Sequence, residues 1–233
     1  EPVTGPEAEK KTIALLRHLL ESEGRLGELA RENLDRDLIV VPVAEKLALF
    51  TEKWNHTEYF IHMKRLFNAI ATIRGEEIDA THLLTGENLG QVSSQTLGNL
   101  GGVEIATSLL PLRPLLAFDK VTIMTMARKI GTLEISEGPE VCDALGPSKP
   151  TTVANKEWLE RSEERVGGLQ HIASDSYSKL RVVKLLHQTG PPLKGGTRID
   201  TSPSVFYARF DWGRREGGPM TDRKSAITAL VFT

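Results

Sequence analysis

The residue types best suited to chemistry are gathered in one stretch, Thr85-Gly86-Glu87-Asn88-Leu89-Gly90-Gln91-Val92-Ser93-Ser94-Gln95-Thr96-Leu97-Gly98-Asn99-Leu100. A strand-like run, Thr81-His82-Leu83-Leu84, leads into it. A Thr-Gly-Glu turn then opens a helix expected over about Leu89 to Leu100. Its first turns are small and polar where a core-facing helix would carry apolar bulk. The unpaired backbone N–H groups of such a helix start can hold an anion or the edge of a nucleotide. Glu87 has two readings, a cap for that helix or a group reaching a metal through water. The cap is favoured, because acids near a helix N-terminus are stabilising there.

The elements that must position this stretch follow an α/β rhythm. Pro6 to Glu21 has Ile13, Leu16, Leu19 and Leu20 at helical spacing. Ser22 to Arg36 is charged and reads as a loop or a second short helix. Leu38-Ile39-Val40-Val41 marks a buried strand over Asp37 to Val43, ended around Pro42. A helix is expected from about Thr57 to Arg74, carrying Phe60, Met63, Phe67 and Ile70. Ala80 to Leu84 is a strand, and Leu109 to Leu112 a short one. Asp119 caps a helix that Gly131 stops. Alternating strands and helices predict an α/β fold, a parallel sheet with helices on both faces. Ligands of such sheets sit at the carboxyl ends of strands, which is where the turn after Leu84 falls.

After Gly168 the rhythm fades. Ser176 to His187 reads as a helix with Leu180, Val183 and Leu186 on one side. The rest is rich in Gly, Pro and Arg, closing on a possible strand from Ala226 to Phe232. Lys194-Gly195-Gly196-Thr197-Arg198-Ile199-Asp200-Thr201-Ser202-Pro203 faintly echoes a phosphate-binding loop, but the spacing is wrong and no clean strand leads in. Two units are expected, 1–167 and an unassigned tail, 168–233.

Composition narrows the field. The net charge of −2 argues against the whole chain being a basic nucleic-acid binder, though not against a local basic face. Without a run of eighteen apolar residues, no membrane span is expected. The start carries no signal-peptide pattern. One cysteine excludes an internal disulfide and fits a reducing compartment, so a cytoplasmic location is expected. The six histidines are scattered, and one cysteine cannot make a structural zinc site.

The 84–100 stretch closely resembles the nucleotide-binding segment of the tRNA 4-thiouridine synthetase (tRNA sulfurtransferase) family of PP-loop ATP pyrophosphatases, TGE-x-LGQV-[AS]-SQTL-x-N, at every fixed position. Leu112-Arg113-Pro114-Leu115 with Asp119-Lys120, and Ala127-Arg128-Lys129-Ile130-Gly131-Thr132, are similar to the family's LRPL, DK and AR-x-IGT. Pro139-Glu140-Val141-Cys142 and Ser148-Lys149-Pro150-Thr151 are similar to PEYC and SK-x-PT. His62-Met63-Lys64-Arg65-Leu66 resembles its (K/R)RMM. The resemblance runs from about Pro6 to Gly167 and is dense from Met63 to Thr152. The family's SGG-x-DS loop and its tRNA-holding THUMP domain lie upstream of the matched motifs and are not found. The expectation is therefore the C-terminal part of the catalytic domain, truncated at its N-terminus.

The resemblance implies an ATP-dependent enzyme that adenylates a tRNA uridine and then transfers sulfur, with a link to thiamin thiazole synthesis. It implies ATP with Mg²⁺ as cofactors. As partners it implies tRNA and a cysteine desulfurase or other persulfide donor. Lys64, Gly86 and Gln95 fall on the family's nucleotide positions. Lys64 would meet phosphate charge, Gly86 would let backbone approach the ligand, and Gln95 would donate and accept at a nucleotide edge. Gln95 lies eight residues beyond Glu87, about two turns into the expected helix. Plainer alternatives are an exposed helix residue for Gln95 and a solvated basic face for Lys64 and Arg65. Arg113 reads equally as a site residue or a structural partner. Cys142 matches the cysteine that, in members with a rhodanese module, pairs with the persulfide cysteine during sulfur release. Such chemistry needs an accessible thiolate, and Glu140 and Asp143 beside it would raise its pKa. Two other readings stand: a non-catalytic scaffold of the same fold, and a sulfur carrier of thiamin synthesis without tRNA activity. A missing first strand would leave an edge on which a second copy could pair as a homodimer.

Overall fold

A computed structural model describes residues 6–34, 37–90, 92–137, 145–185, 207–208 and 226–229. Its organising element is a long helix, Tyr59–Glu77. Ile61, Arg65, Ala69 and Thr72 lie on one side and Tyr59, Leu66, Ile70 on another, and all are buried. A helix buried nearly all round must be covered by neighbours on several faces, and this one is.

In chain order the helices are α1 (Pro6–Glu21), α2 (Gly24–Asn33), α3 (Ala44–Leu47), α4 (Tyr59–Glu77), α5 (Leu97–Glu104), α6 (Lys120–Lys129), α7 (Leu133–Ser136), α8 (Lys156–Arg165) and α9 (Leu169–Tyr177). The strands are β1 (Asp37–Val40), β2 (Ala80–Leu84), β3 (Leu110–Leu112), β4 (Arg181–Lys184), β5 (Tyr207–Ala208) and β6 (Ala226–Ala229).

The fold is α/β with a parallel sheet. Its order is β3-β2-β6-β5. Strand β2 runs parallel to β3, with Leu84 opposite Leu112, and parallel to β6, with Leu84 opposite Ala229. Strand β5 is antiparallel to β6. Three cores meet on α4. Phe50, Tyr59, Leu66, Ala69 and Ile70 pack with Ile172 and Ala173 of α9. Ile61 packs with Val103 of α5 and Leu159 of α8. Ala71 packs with Leu83 of β2 and Leu109. A fourth core joins Leu16, Leu20, Ala30, Leu38 and Leu185.

Several expectations are met. Helix α1 spans Pro6–Glu21 and β2 spans Ala80–Leu84, as their patterns required. The charged stretch after α1 forms the second short helix, α2. Asp119 caps α6, accepting from the Thr122 amide at 2.7 Å. Gly131 follows α6 with φ +74°, the left-handed conformation that suits glycine at a helix end.

Others are corrected. Strand β1 stops at Val40 and is not part of the parallel sheet. It pairs antiparallel with β4, Asp37 opposite Lys184 and Val40 opposite Arg181. No helix runs from Ser176 to His187: α9 ends at Tyr177, and Arg181-Val182-Val183-Lys184 is a strand. Adjacent β-branched valines favour a pleated surface over a helix. The expected 89–100 helix is a loop, a 3-10 turn at Ser93–Gln95, and then α5 from Leu97. The glycine-rich echo at 194–203 lies outside the described residues.

Candidate functional site

The loop after β2 leaves the carboxyl end of the sheet and is pinned at both ends. The Thr85 amide donates to the Leu112 carbonyl at 2.9 Å, and the Leu89 amide to that of Leu116 at 3.0 Å. The Asn88 side-chain amide donates to the carbonyls of Leu115 and Phe118. The turn after β3 is thereby moulded onto the loop after β2. Farther on, Gly90 donates to the Gln95 carbonyl at 2.9 Å, folding the loop back on itself.

Glu87 is not a helix cap, because no helix begins there. It is buried at 6 % exposure, and both its oxygens are engaged. Oε1 accepts from Lys64 Nζ at 2.8 Å. Oε2 accepts from Arg113 Nε at 2.7 Å and from the Thr85 hydroxyl at 3.3 Å. Arg113 also donates to Glu104 through Nη1 at 3.0 Å. Burial alone would raise the Glu87 pKa. The charge of Lys64 and the hydrogen bonds from Arg113 and Lys64 outweigh it and hold the carboxyl below the ordinary value. Arg113 is likewise held charged: burial acts against it, and the bonds to Glu87 and Glu104 win.

The structure thus brings Lys64, from α4, to the residue beside Gly86. A Cβ built at Gly86 would meet nothing within 4 Å, and the residue is exposed. The chain's own packing does not demand glycine there, so the missing side chain leaves room for something else. Gln95 sits at the end of the 3-10 turn rather than two turns into a helix. Its Oε1 is buried and finds no hydrogen-bond partner among the described residues. Cys142 lies outside the described residues. An open glycine, a cation at 14 % exposure and an unmatched amide oxygen suit a phosphate-bearing nucleotide. Among the described residues no group of three or more His, Cys, Asp or Glu could hold a metal ion.

Arg65 is not part of a solvated face. It is buried, and it binds Glu163 through Nε at 2.5 Å and Nη2 at 2.8 Å, and the Gly102 carbonyl through Nη1 at 2.5 Å. His62 Nδ1 lies 3.1 Å from the same carboxylate, and its ring stacks on Phe50 with centroids 4.4 Å apart. This cluster locks α4 to α8 and α5, one residue away from Lys64. Asn99 does comparable work on the other side of the loop. Its side-chain amide donates to the Ser93 carbonyl at 2.7 Å and that of Thr151 at 3.0 Å, while its Oδ1 accepts from the Ala154 amide at 2.8 Å. The Thr96 hydroxyl adds a bond to the Thr152 carbonyl at 2.5 Å. Sequence reasoning passed over Glu163 and Asn99 as supports. Asn99 carried a signal, since Thr96 stands three residues before it in the pattern of an N-cap, and it does cap α5.

No helix among the described residues is long and apolar enough to cross a membrane.

Comparison with known proteins bears on the family of the chain. The family profile described as "Thiamine biosynthesis protein (ThiI)" matches residues 2–167. A probable tRNA sulfurtransferase of Coxiella burnetii is 34% identical over 188 residues, 79% of this chain and 45% of the relative. The tRNA sulfurtransferase of Psychromonas ingrahamii is 41% identical over 128 residues, 54% of this chain and 26% of the relative. A crystal structure of a 4-thiouridine synthetase–RNA complex with bound ATP is similar with a TM-score of 0.68 at 31% identity, covering 78% of this chain and 46% of that one. The chain spans about half, or less, of the length of these relatives. On the extent of the family match, the chain belongs to the thiamine biosynthesis protein (ThiI) family.

Proposed function

We propose that this chain supplies the nucleotide site of an ATP-dependent tRNA sulfurtransferase that makes 4-thiouridine. The observation that carries the reading is the pairing of Lys64 with Glu87 beside the open backbone of Gly86, at the carboxyl end of β2. Relatives named tRNA sulfurtransferases support it, as does a similar structure holding RNA and ATP. When bound, ATP supplies an adenylyl group that turns a uridine carbonyl oxygen into a leaving group, so that AMP departs as sulfur enters. Lys64 meets phosphate charge, the Gly86 backbone approaches the ligand, and Gln95 reads a nucleotide edge. Charge building on the phosphate is then met by groups already in place, at no cost in reorganisation.

Cys142 is the proposed sulfur-handling residue, on the strength of its flanking motif. Its partner is a cysteine desulfurase or another persulfide donor. The family description favours a second use of the same sulfur, in thiamin thiazole synthesis. Calorimetry with ATP and AMP tests the reading. The chain should bind both, and Gln95→Ala should weaken binding by about tenfold or more, the loss of a well-placed hydrogen bond at a buried site. A well-folded chain with no affinity for either nucleotide would leave a scaffold of this fold in place of an enzyme.

A further inference from the structure

Glu87 faces two cations with one carboxylate. Lys64 and Arg113 are 14% and 11% exposed, so neither can spread its charge freely into water. Their salt bridges to Glu87 are 2.8 and 2.7 Å long, on different oxygens. Glu104, the other acid at Arg113, is 48% exposed. Two poorly solvated cations sharing one anion are held in place by it. Without the anion they repel, and the more flexible side chain moves. That side chain is lysine, whose four-carbon stem fixes nothing by itself.

We propose, building on the nucleotide site proposed above, that Glu87 is a positioning residue: it holds the Lys64 ammonium beside Gly86 so that nucleotide phosphate meets a cation already in place. Thr85 and Arg113 fix the carboxylate from the opposite oxygen. Lys64 therefore sits on a rigid anchor rather than swinging in solvent, and binding pays little to order it. A rival reading has Glu87 merely competing with phosphate for Lys64. It predicts the opposite sign, because removing the acid would then free a cation and tighten binding.

The test is a double-mutant cycle on the full chain, read by ATP calorimetry, with far-ultraviolet circular dichroism to confirm folding. Glu87→Gln should weaken ATP by about tenfold, the scale of one lost charge-assisted contact. In a Lys64→Met background the same substitution should change affinity by less than about twofold, since its effect passes through Lys64. Glu87→Asp, which keeps the charge, should restore part of the loss, and it serves as the second variant if Glu87→Gln does not fold. Unchanged or tighter ATP binding by Glu87→Gln overturns the positioning role and leaves the nucleotide site standing. An equal loss with and without Lys64 also overturns it, assigning Glu87 to structure alone. No ATP binding by the unsubstituted chain overturns both.

Discussion

Arg65 and Glu163 meet as a two-pronged fork although 98 positions separate them in the chain. Both are almost fully buried, and the Gly102 carbonyl and His62 fill much of the remaining hydrogen-bonding capacity. The pair holds α8 against α4 and so fixes the helix that carries Lys64. Removing one partner leaves a buried charge without its counterion. Arg65→Ala should therefore destabilise the fold by about 3–5 kcal/mol, read as a lower urea midpoint. A variant as stable as the parent would show that the fork carries no net stability.

Acid should find the same two carboxylates. Glu87 and Glu163 are both held below the ordinary value of 4.5. At each, burial pushes upward and is outweighed: by Lys64 and Arg113 at Glu87, and by Arg65 and His62 at Glu163. A carboxyl with a depressed folded pKa binds fewer protons when folded than when unfolded. Its stabilisation is complete above the unfolded value and drains away as pH falls through the folded one. The urea midpoint should thus hold steady down to about pH 5 and decline below it, and Glu163→Gln should flatten that decline. A midpoint that rises on acidification would contradict the assignment.

Gly86 separates ligand binding from folding. A Cβ there has open space, so Gly86→Ala should melt within about 0.5 kcal/mol of the parent. If the proposed site is right, the methyl stands in the path of the nucleotide, and ATP affinity should drop by about tenfold. Calorimetry beside a thermal melt reads both. Equal affinity in a stable variant would place the nucleotide elsewhere.

Asn99 predicts the reverse pattern. Asn99→Ala would leave the Ala154 amide and the carbonyls of Ser93 and Thr151 short of partners. These groups are partly buried, so each one stranded costs up to about 1–3 kcal/mol. Hydrogen exchange at Ala154 should speed up along with that loss of stability. Continued slow exchange there would mean that Asn99 is not what ties the 151–154 segment down.

The sequence revealed what local spacing controls. Ile13, Leu16 and Leu20 define α1, Asp119 announces its helix, and the apolar run before Thr85 marks β2. The motif between Leu84 and Leu100 was recognisable by its family resemblance, and Lys64 does reach Glu87, the residue beside Gly86. Its backbone was misread, because small polar residues such as Ser93 and Ser94 suit a tight turn as well as a helix start, and Thr96 is the true cap. Glu87 was misassigned for a different reason. Its partners lie 23 and 26 residues away, and no local pattern displays them. Strand β4 was hidden likewise. The adjacent valines Val182 and Val183 favour a strand, but the partner that pairs with them, β1, lies far upstream in the chain.

That last pairing has a consequence for how the chain comes to be folded. Asp37 and Lys184 close a loop of 147 residues. The entropy of so long a closure is recovered only once the intervening helices have gathered around α4. On a ribosome, β1 emerges long before β4 exists, and its edge waits until the residues that separate the two strands have been made. Assembly should therefore proceed from the α4 core outward, with the β1–β4 ladder as the last seam to close. In pulse-labelling, amides of α4 should gain protection ahead of those in 37–40.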